Sequence, residues 1–129
     1  MANTPHDGRR LAAIMFVDMV GYSALMQQSE LRAIAAVRDL WQRVRPLLAE
    51  HGGIEIDLAG DGMLIEFNGA LSAVSCALAI QNTLHARNAE LPESERIRTR
   101  TGIHLGDIEH RDDRIYGDGV NIAARVIAQ

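Results

Sequence analysis

This 129-residue sequence is poor in several features that mark particular classes of protein. Aromatic residues make up 4% of it and its net charge is −4, so it has little material for base-stacking platforms and no sign of a basic surface for nucleic acid. Its single cysteine, Cys76, supports no disulfide framework and no zinc spacing, and is predicted to be a small buried hydrophobe. No apolar run approaches the roughly 18 residues of a membrane span, and the N-terminus lacks the apolar stretch expected of a signal peptide. We therefore expect a cytoplasmic domain without a nucleic-acid partner or a membrane segment.

The sequence does contain alternating strand-like and helix-like segments. With 47% hydrophobic and 23% charged residues, it fits one globular domain, predicted over 11–129 behind a flexible tail at 1–10. The apolar run 11–19 predicts a buried central strand that ends near Asp18. Further along come a helix from Ser29 towards His51, a hairpin at 54–67, a helix at 70–90, a hairpin at 98–117 and a helix from Val120. This order predicts an α+β fold with helices packed on a largely antiparallel sheet.

Both long helices carry apolar residues at steps of three and four, which predicts a buried stripe on each. For the first helix the predicted inward residues are Ile34, Val37, Trp41, Val44 and Leu48. For the second they are Leu71, Val74, Leu78 and Leu84. Ser29 is a plausible N-cap of the first helix, and Gly52-Gly53 ends it.

Two aspartates stand out as candidate metal ligands. Asp18 ends an apolar strand, where a carboxylate is costly unless it is paired or bound to metal. Asp61 lies in a Gly-Asp-Gly turn, and the alternative for this residue is ordinary turn chemistry. If the two carboxylates meet, they suit Mg²⁺ or Mn²⁺, whose remaining ligands are water and substrate phosphates.

Other polar residues have both a functional and a structural interpretation. Arg100 on the predicted fourth strand could grip a phosphate bidentately, or be a surface residue of that strand. Asp107 follows a Leu-Gly pair and is predicted to be a turn residue. Asn121 and Arg125 are four residues apart on a predicted helix, so they share one face. That face suits a phosphate or sugar, or is the polar side of an ordinary amphipathic helix.

Taken together, four segments resemble the class III nucleotidyl cyclases, the family of adenylate and guanylate cyclase catalytic domains. Their order and approximate spacing match that family over about residues 11–129. The four segments are FVDMVGYS, AGDGMLIEF, RTGIHLGD and IYGDGVNIAAR. The resemblance implies a ferredoxin-like, palm-type antiparallel sheet.

The resemblance also implies the chemistry of the site. Aspartates at the positions of Asp18 and Asp61 bind two Mg²⁺ or Mn²⁺ ions in the family. One ion activates the ribose 3′-hydroxyl and the other holds the triphosphate, and attack of the hydroxyl on the α-phosphorus expels pyrophosphate. Family members form head-to-tail dimers with sites shared between protomers, so a homodimer is expected.

Several further roles are carried over from the family. Asn121 matches an asparagine that positions the ribose, and Arg125 an arginine that stabilises the transition state. Arg100 matches an arginine that contacts the terminal phosphates. Backbone N–H groups that cradle phosphates in the family correspond to Val20, Gly21 and Tyr22.

The sequence departs from adenylate cyclases at the two positions that recognise the base. Asp57 stands where they usually carry lysine, and Arg114 where they usually carry aspartate or threonine. Either Asp57 accepts hydrogen bonds from guanine while Arg114 donates to its O6, or Asp57 and Arg114 pair with each other. We favour the pair, and the prevalence of ATP as substrate in the family favours ATP.

Family domains also continue past the helix with Asn121 and Arg125, so the resemblance implies that the C-terminal part of the domain is missing from this sequence. An adenylate cyclase is the first hypothesis. A guanylate cyclase and a catalytically silent nucleotide-binding module are the alternatives, and no Gly-Gly-Asp/Glu-Glu-Phe signature supports a diguanylate cyclase.

Overall fold

The chain folds as alternating strands and helices, in a computed structural model that describes residues 9–111 and 114–116. The elements are β1 (Arg9–Met19), α1 (Tyr22–Gln28), α2 (Glu30–Glu50), β2 (Ile54–Ala59), β3 (Gly62–Phe67), α3 (Ala70–Asn88), a 3₁₀ turn (Glu93–Glu95), β4 (Thr99–Arg111) and β5 (Arg114–Tyr116). Strand β1 therefore begins two residues before the predicted start. The predicted C-terminal helix lies outside the described residues.

The strands form one sheet in the order β2-β3-β1-β4-β5, and every pairing is antiparallel. β1 lies between β3 and β4, which explains why its sequence is a nearly continuous apolar run. Strands β1 to β4, with the helices between them, have the ferredoxin-like order. The α+β prediction is confirmed, as are both predicted hairpins.

Helix α2 packs on the sheet much as its sequence predicts. The hydroxyl of Ser29 accepts a hydrogen bond from the Arg32 N–H at 3.2 Å, which confirms the predicted N-cap. The predicted stripe is wrong at Ile34, which is 43% exposed, and Val37 is only partly buried. The residues that are buried on this helix are Ala33, Leu40, Trp41, Val44 and Leu48.

The predicted inward face of α3 is largely wrong. Leu71, Val74 and Leu78 are 81%, 46% and 60% exposed. The buried residues of α3 are Ala73, Cys76, Ile80 and Leu84. Because α3 is apolar on two sides, its periodicity did not reveal which side packs on the sheet. The buried position of Cys76 is confirmed.

The sheet presents one face to the helices and the other away from them. Met15, Val17 and Met19 of β1 belong to the core under the helices. Because side chains alternate along a strand, Asp18 lies on the opposite face, as does Phe16. Asp18 therefore lies on the face of the sheet opposite the helices.

A β-bulge in β2 changes which face its residues occupy. Glu55 pairs with Ile65, and after the register shift Asp57 pairs with Leu64. Glu55 forms an ion pair with Arg45 of α2, on the helix side. Regular alternation would put Asp57 on that same side, so the bulge moves it to the face of Leu64 and Asp18.

Strand β4 is longer than its sequence predicts. Asp107, predicted to be a turn residue, lies within β4 and pairs with Leu11. The strand continues to Arg111, four residues further along the chain. Pairing with the long β1 keeps this segment extended despite its Gly-Asp sequence.

Candidate functional site

An ion pair between Asp18 and Arg100 lies at the C-terminal end of β1. The two residues are directly opposite each other in the β1–β4 register. Arg100 Nε donates to Asp18 Oδ1 at 3.1 Å and Arg100 Nη2 donates to Asp18 Oδ2 at 3.0 Å. The side chain of Asp18 is 15% exposed and that of Arg100 49%, so Arg100 is the more exposed member of the pair.

Asp61 reaches the same place from the β2–β3 turn. Gly60 has φ of 60°, a left-handed conformation that costs glycine little and allows a two-residue turn. Asp61 Oδ2 accepts a hydrogen bond from the backbone N–H of Met19 at 3.0 Å. This bond ties the turn to the end of β1, beside Asp18.

The charges of Asp18, Asp61 and Arg100 interact with one another. The hydrogen bonds and the charge of Asp18, and to a smaller extent the charge of Asp61, raise the pKa of Arg100 above its ordinary value. Arg100 therefore stays a cation and interacts with both carboxylates. The predicted convergence of Asp18, Asp61 and Arg100 is present in the structure.

The three side chains line an open pocket of about 370 Å³. Gly21 and Tyr22, two of the predicted phosphate-binding positions, also line it. Gly21 has φ of 76° and precedes α1, so the chain turns sharply over the pocket. The remaining lining residues are Met19, Ser23 and Ala24.

Val20, the third predicted phosphate-binding position, does not line this pocket. Its backbone N–H donates to the carbonyl of Arg98 at 2.8 Å, and Val20 lines a different pocket on the α2 side. Its N–H is therefore engaged by β4 in this structure. Gly21 and Tyr22 line the pocket with Asp18 and Asp61, and the phosphate-binding role of all three positions stays a prediction.

The two predicted base-recognition positions are not brought together by strand pairing. Asp57 shares a row of the sheet with Phe16 and Gly102, whereas Arg114 pairs with Arg111, nine residues further along β4. Asp57 is exposed, and its Oδ1 accepts a hydrogen bond from the N–H of the next residue, Leu58, at 2.9 Å.

The carboxylates of Asp18 and Asp61 suit a magnesium or manganese ion. They supply hard oxygen donors beside an open pocket with room for water and phosphate ligands. Within residues 9–111 and 114–116, no cluster of three or more His, Cys, Asp or Glu side chains forms a fuller site. Asn121 and Arg125 lie outside the described residues, so their roles stay predictions.

Sequence reasoning missed two features of the site. One is the backbone N–H of Met19, which holds Asp61, and the other is the direct contact of Arg100 with Asp18. No local signal marks either of them, because each depends on how strands distant in the sequence pair.

Comparison with known proteins identifies the family. The family model of the adenylate and guanylate cyclase catalytic domain matches residues 6–129. The chain belongs to this family. The resemblance seen in the four sequence segments is confirmed.

Individual relatives agree with this assignment. The chain is 46% identical over 121 residues to putative adenylate cyclase 3 of Rhizobium meliloti (strain 1021), covering 93% of this chain and 21% of that protein. It spans only about a fifth of that relative. An adenylate/guanylate cyclase/hydrolase structure from Silicibacter pomeroyi is 43% identical, with a TM-score of 0.83, over 93% of this chain and 70% of that one.

More distant structures share the fold. The structure of the guanylyl cyclase Cya2 matches 93% of this chain and 70% of its own with a TM-score of 0.77, at 22% identity. Among the helices described, none has the length and apolar character needed to span a bilayer.

Proposed function

We propose that this protein is a metal-dependent nucleotidyl cyclase that converts ATP to cyclic AMP and pyrophosphate. The 3′-oxygen of the ribose forms a bond to the α-phosphorus, and the bond from that phosphorus to the pyrophosphate oxygen breaks. The observation that carries the proposal is the convergence of Asp18, Asp61 and Arg100 on one pocket, in a chain of the cyclase family.

Each of these residues has a distinct task in the proposed reaction. Asp18 and Asp61 would hold Mg²⁺ or Mn²⁺, two ions per site, which when bound lower the pKa of the attacking hydroxyl and neutralise phosphate charge. Arg100 carries a fixed positive charge for the terminal phosphates. The bond from the Met19 N–H to Asp61 keeps that carboxylate oriented before substrate arrives.

The proposed site is completed by a second protomer. In the head-to-tail homodimer, Asn121 would orient the ribose and Arg125 would stabilise the charge that develops on the α-phosphate. Arg125→Ala should then lower kcat with little change in nucleotide affinity. A loss of affinity without a change in kcat would contradict this role.

Complementation tests the shared site. Neither Asp61→Ala nor Arg125→Ala alone can assemble a working site, but a mixed dimer has one intact site. Random exchange of equal amounts makes about half of the dimers mixed, so activity should recover to roughly a quarter of wild type. If mass measurements show mixed dimers while activity stays at background, the shared site is refuted.

ATP is proposed as the substrate over GTP. Supporting this choice, a relative with 46% identity is named a putative adenylate cyclase. The alternative is a guanylate cyclase, and the β2 bulge favours a role for Asp57 because it turns that carboxylate to the face of Asp18. Asp57 could then accept hydrogen bonds from guanine N1–H and its 2-amino group.

One assay separates these candidates. The purified protein is incubated with Mn²⁺ and either ATP or GTP, and both cyclic nucleotides are quantified. More cyclic AMP supports the proposal, and more cyclic GTP supports the alternative. No product from either, with nucleotide still bound, indicates a silent binding module. A cytoplasmic location stays a prediction.

A further inference from the structure

The contact between Asp18 and Arg100 engages both oxygens of a proposed metal ligand. The guanidinium forms two hydrogen bonds to the carboxylate, one to each oxygen. Because the residues are opposite each other on paired strands, the backbone register keeps this partner within reach. The pair is therefore built into the sheet.

A divalent cation at Asp18 would need one of the carboxylate oxygens that the guanidinium already engages. The side chain of Asp18 is only 15% exposed, and both Asp18 and Arg100 line the open pocket. An ion bound at an oxygen of Asp18 would also face the positive charge of Arg100 at a distance of a few ångströms. The ion and the guanidinium therefore compete for Asp18, for both steric and electrostatic reasons.

Asp61 differs from Asp18 in this respect. Its hydrogen bond comes from a neutral backbone N–H and reaches only Oδ2. A carboxylate oxygen can accept that bond while the second oxygen binds a cation. Asp61 can therefore bind a metal ion without losing its hydrogen bond, whereas Asp18 is paired with a competing cation.

We infer that Arg100 is a displaceable counter-ion of Asp18, which a divalent ion must replace before Arg100 can turn to the triphosphate. This inference rests on the proposed function. It makes metal binding and the release of Arg100 a coupled event. Arg100 therefore weakens metal binding in the absence of nucleotide and strengthens nucleotide binding once metal is present.

The test measures Mn²⁺ binding to the nucleotide-free protein, with the free ion followed by electron paramagnetic resonance. Arg100→Gln should tighten Mn²⁺ binding roughly three- to tenfold, since it removes the competing charge and the guanidinium that bridges both oxygens. Arg98→Gln is the matched control, because Arg98 is also exposed and pairs with Glu93 instead. It should change Mn²⁺ affinity by less than about twofold.

A second measurement separates competition from a general loss of structure. Binding of ATP in saturating Mn²⁺ should become weaker in Arg100→Gln, the opposite direction to its effect on metal. Arg100→Lys keeps the charge but cannot bridge both oxygens, so its metal affinity should lie between wild type and Arg100→Gln. If Arg100→Gln does not fold, Arg100→Lys against Arg98→Lys provides the same comparison.

The outcomes distinguish this inference from the proposed function. If Asp18→Asn abolishes Mn²⁺ binding but Arg100→Gln does not tighten it relative to Arg98→Gln, the counter-ion role is refuted and the metal site stands. If no variant shows binding that depends on Asp18, the metal site and the counter-ion role both fail.

Discussion

Replacing Asp61 by asparagine or by alanine separates its proposed metal role from its structural role. Both changes remove the negative charge, so both should abolish turnover that depends on Mn²⁺. Only alanine also removes the oxygen that accepts the Met19 N–H at 3.0 Å. The two variants should therefore be equally inactive but unequally stable.

The size of the difference follows from that single hydrogen bond. Asp61 is partly buried, so leaving the Met19 N–H without this acceptor should cost about 1–2 kcal/mol. For a chain of this size that lowers Tm by about 3–10 °C. Asp61→Asn keeps an acceptor oxygen for the Met19 N–H, so its Tm should stay within about 2 °C of wild type.

Thermal unfolding followed by circular dichroism measures this difference, and cyclic nucleotide production in Mn²⁺ measures activity. Asp107→Ala is the control, since it removes an exposed carboxylate within β4 without touching Met19. Equal Tm values for the two Asp61 variants would refute the structural role. Turnover by Asp61→Asn at the wild-type rate would refute the metal role.

Three further predictions concern the core, its buried thiol and a surface carboxylate. Ile80→Ala should lower the free energy of unfolding by about 2–5 kcal/mol in denaturant titrations. Leu78→Ala, on the exposed side of α3, should change it by less than about 0.5 kcal/mol, and similar costs for the two variants would contradict the observed packing. Burial raises the pKa of Cys76 to about 11, so at pH 8 roughly one thiol in a thousand is ionised. A thiol-specific reagent should therefore label Cys76 only when the protein unfolds. Rapid labelling of the native protein would contradict this prediction. Burial opposes the ionisation of Asp39, but hydrogen bonds from Arg87 and Arg43 outweigh this effect and lower the pKa of Asp39. The ionised Asp39 should stabilise the fold fully above the pKa of the unfolded state, and this stabilisation should be lost as pH falls through the lower pKa of the folded state. Asp39→Asn should therefore cost about 1 kcal/mol of unfolding free energy at pH 7 and progressively less below about pH 4. A cost that does not depend on pH would refute the charge effect.

Local sequence alone determined much of this fold. The apolar run of β1, the Gly-Asp-Gly turn after β2 and the Ser29 cap each depend on residues within a few positions of one another, and each was predicted. The choice of Asp18, Asp61 and Arg100 as candidates came from the same kind of signal, a charged residue next to a strand or turn. Residue type and local context were sufficient for the strand, the turn and the cap because their stabilising interactions are local.

Tertiary structure decided what depends on the pairing of distant segments. The side of α3 that is buried, the extended conformation of Asp107 and the bulge that turns Asp57 to the face of Asp18 all depend on neighbouring elements. So does the contact of Asp18 with Arg100, 82 residues away in the chain. Strand register sets these contacts, and a shift of one residue would move Arg100 to the other face of the sheet.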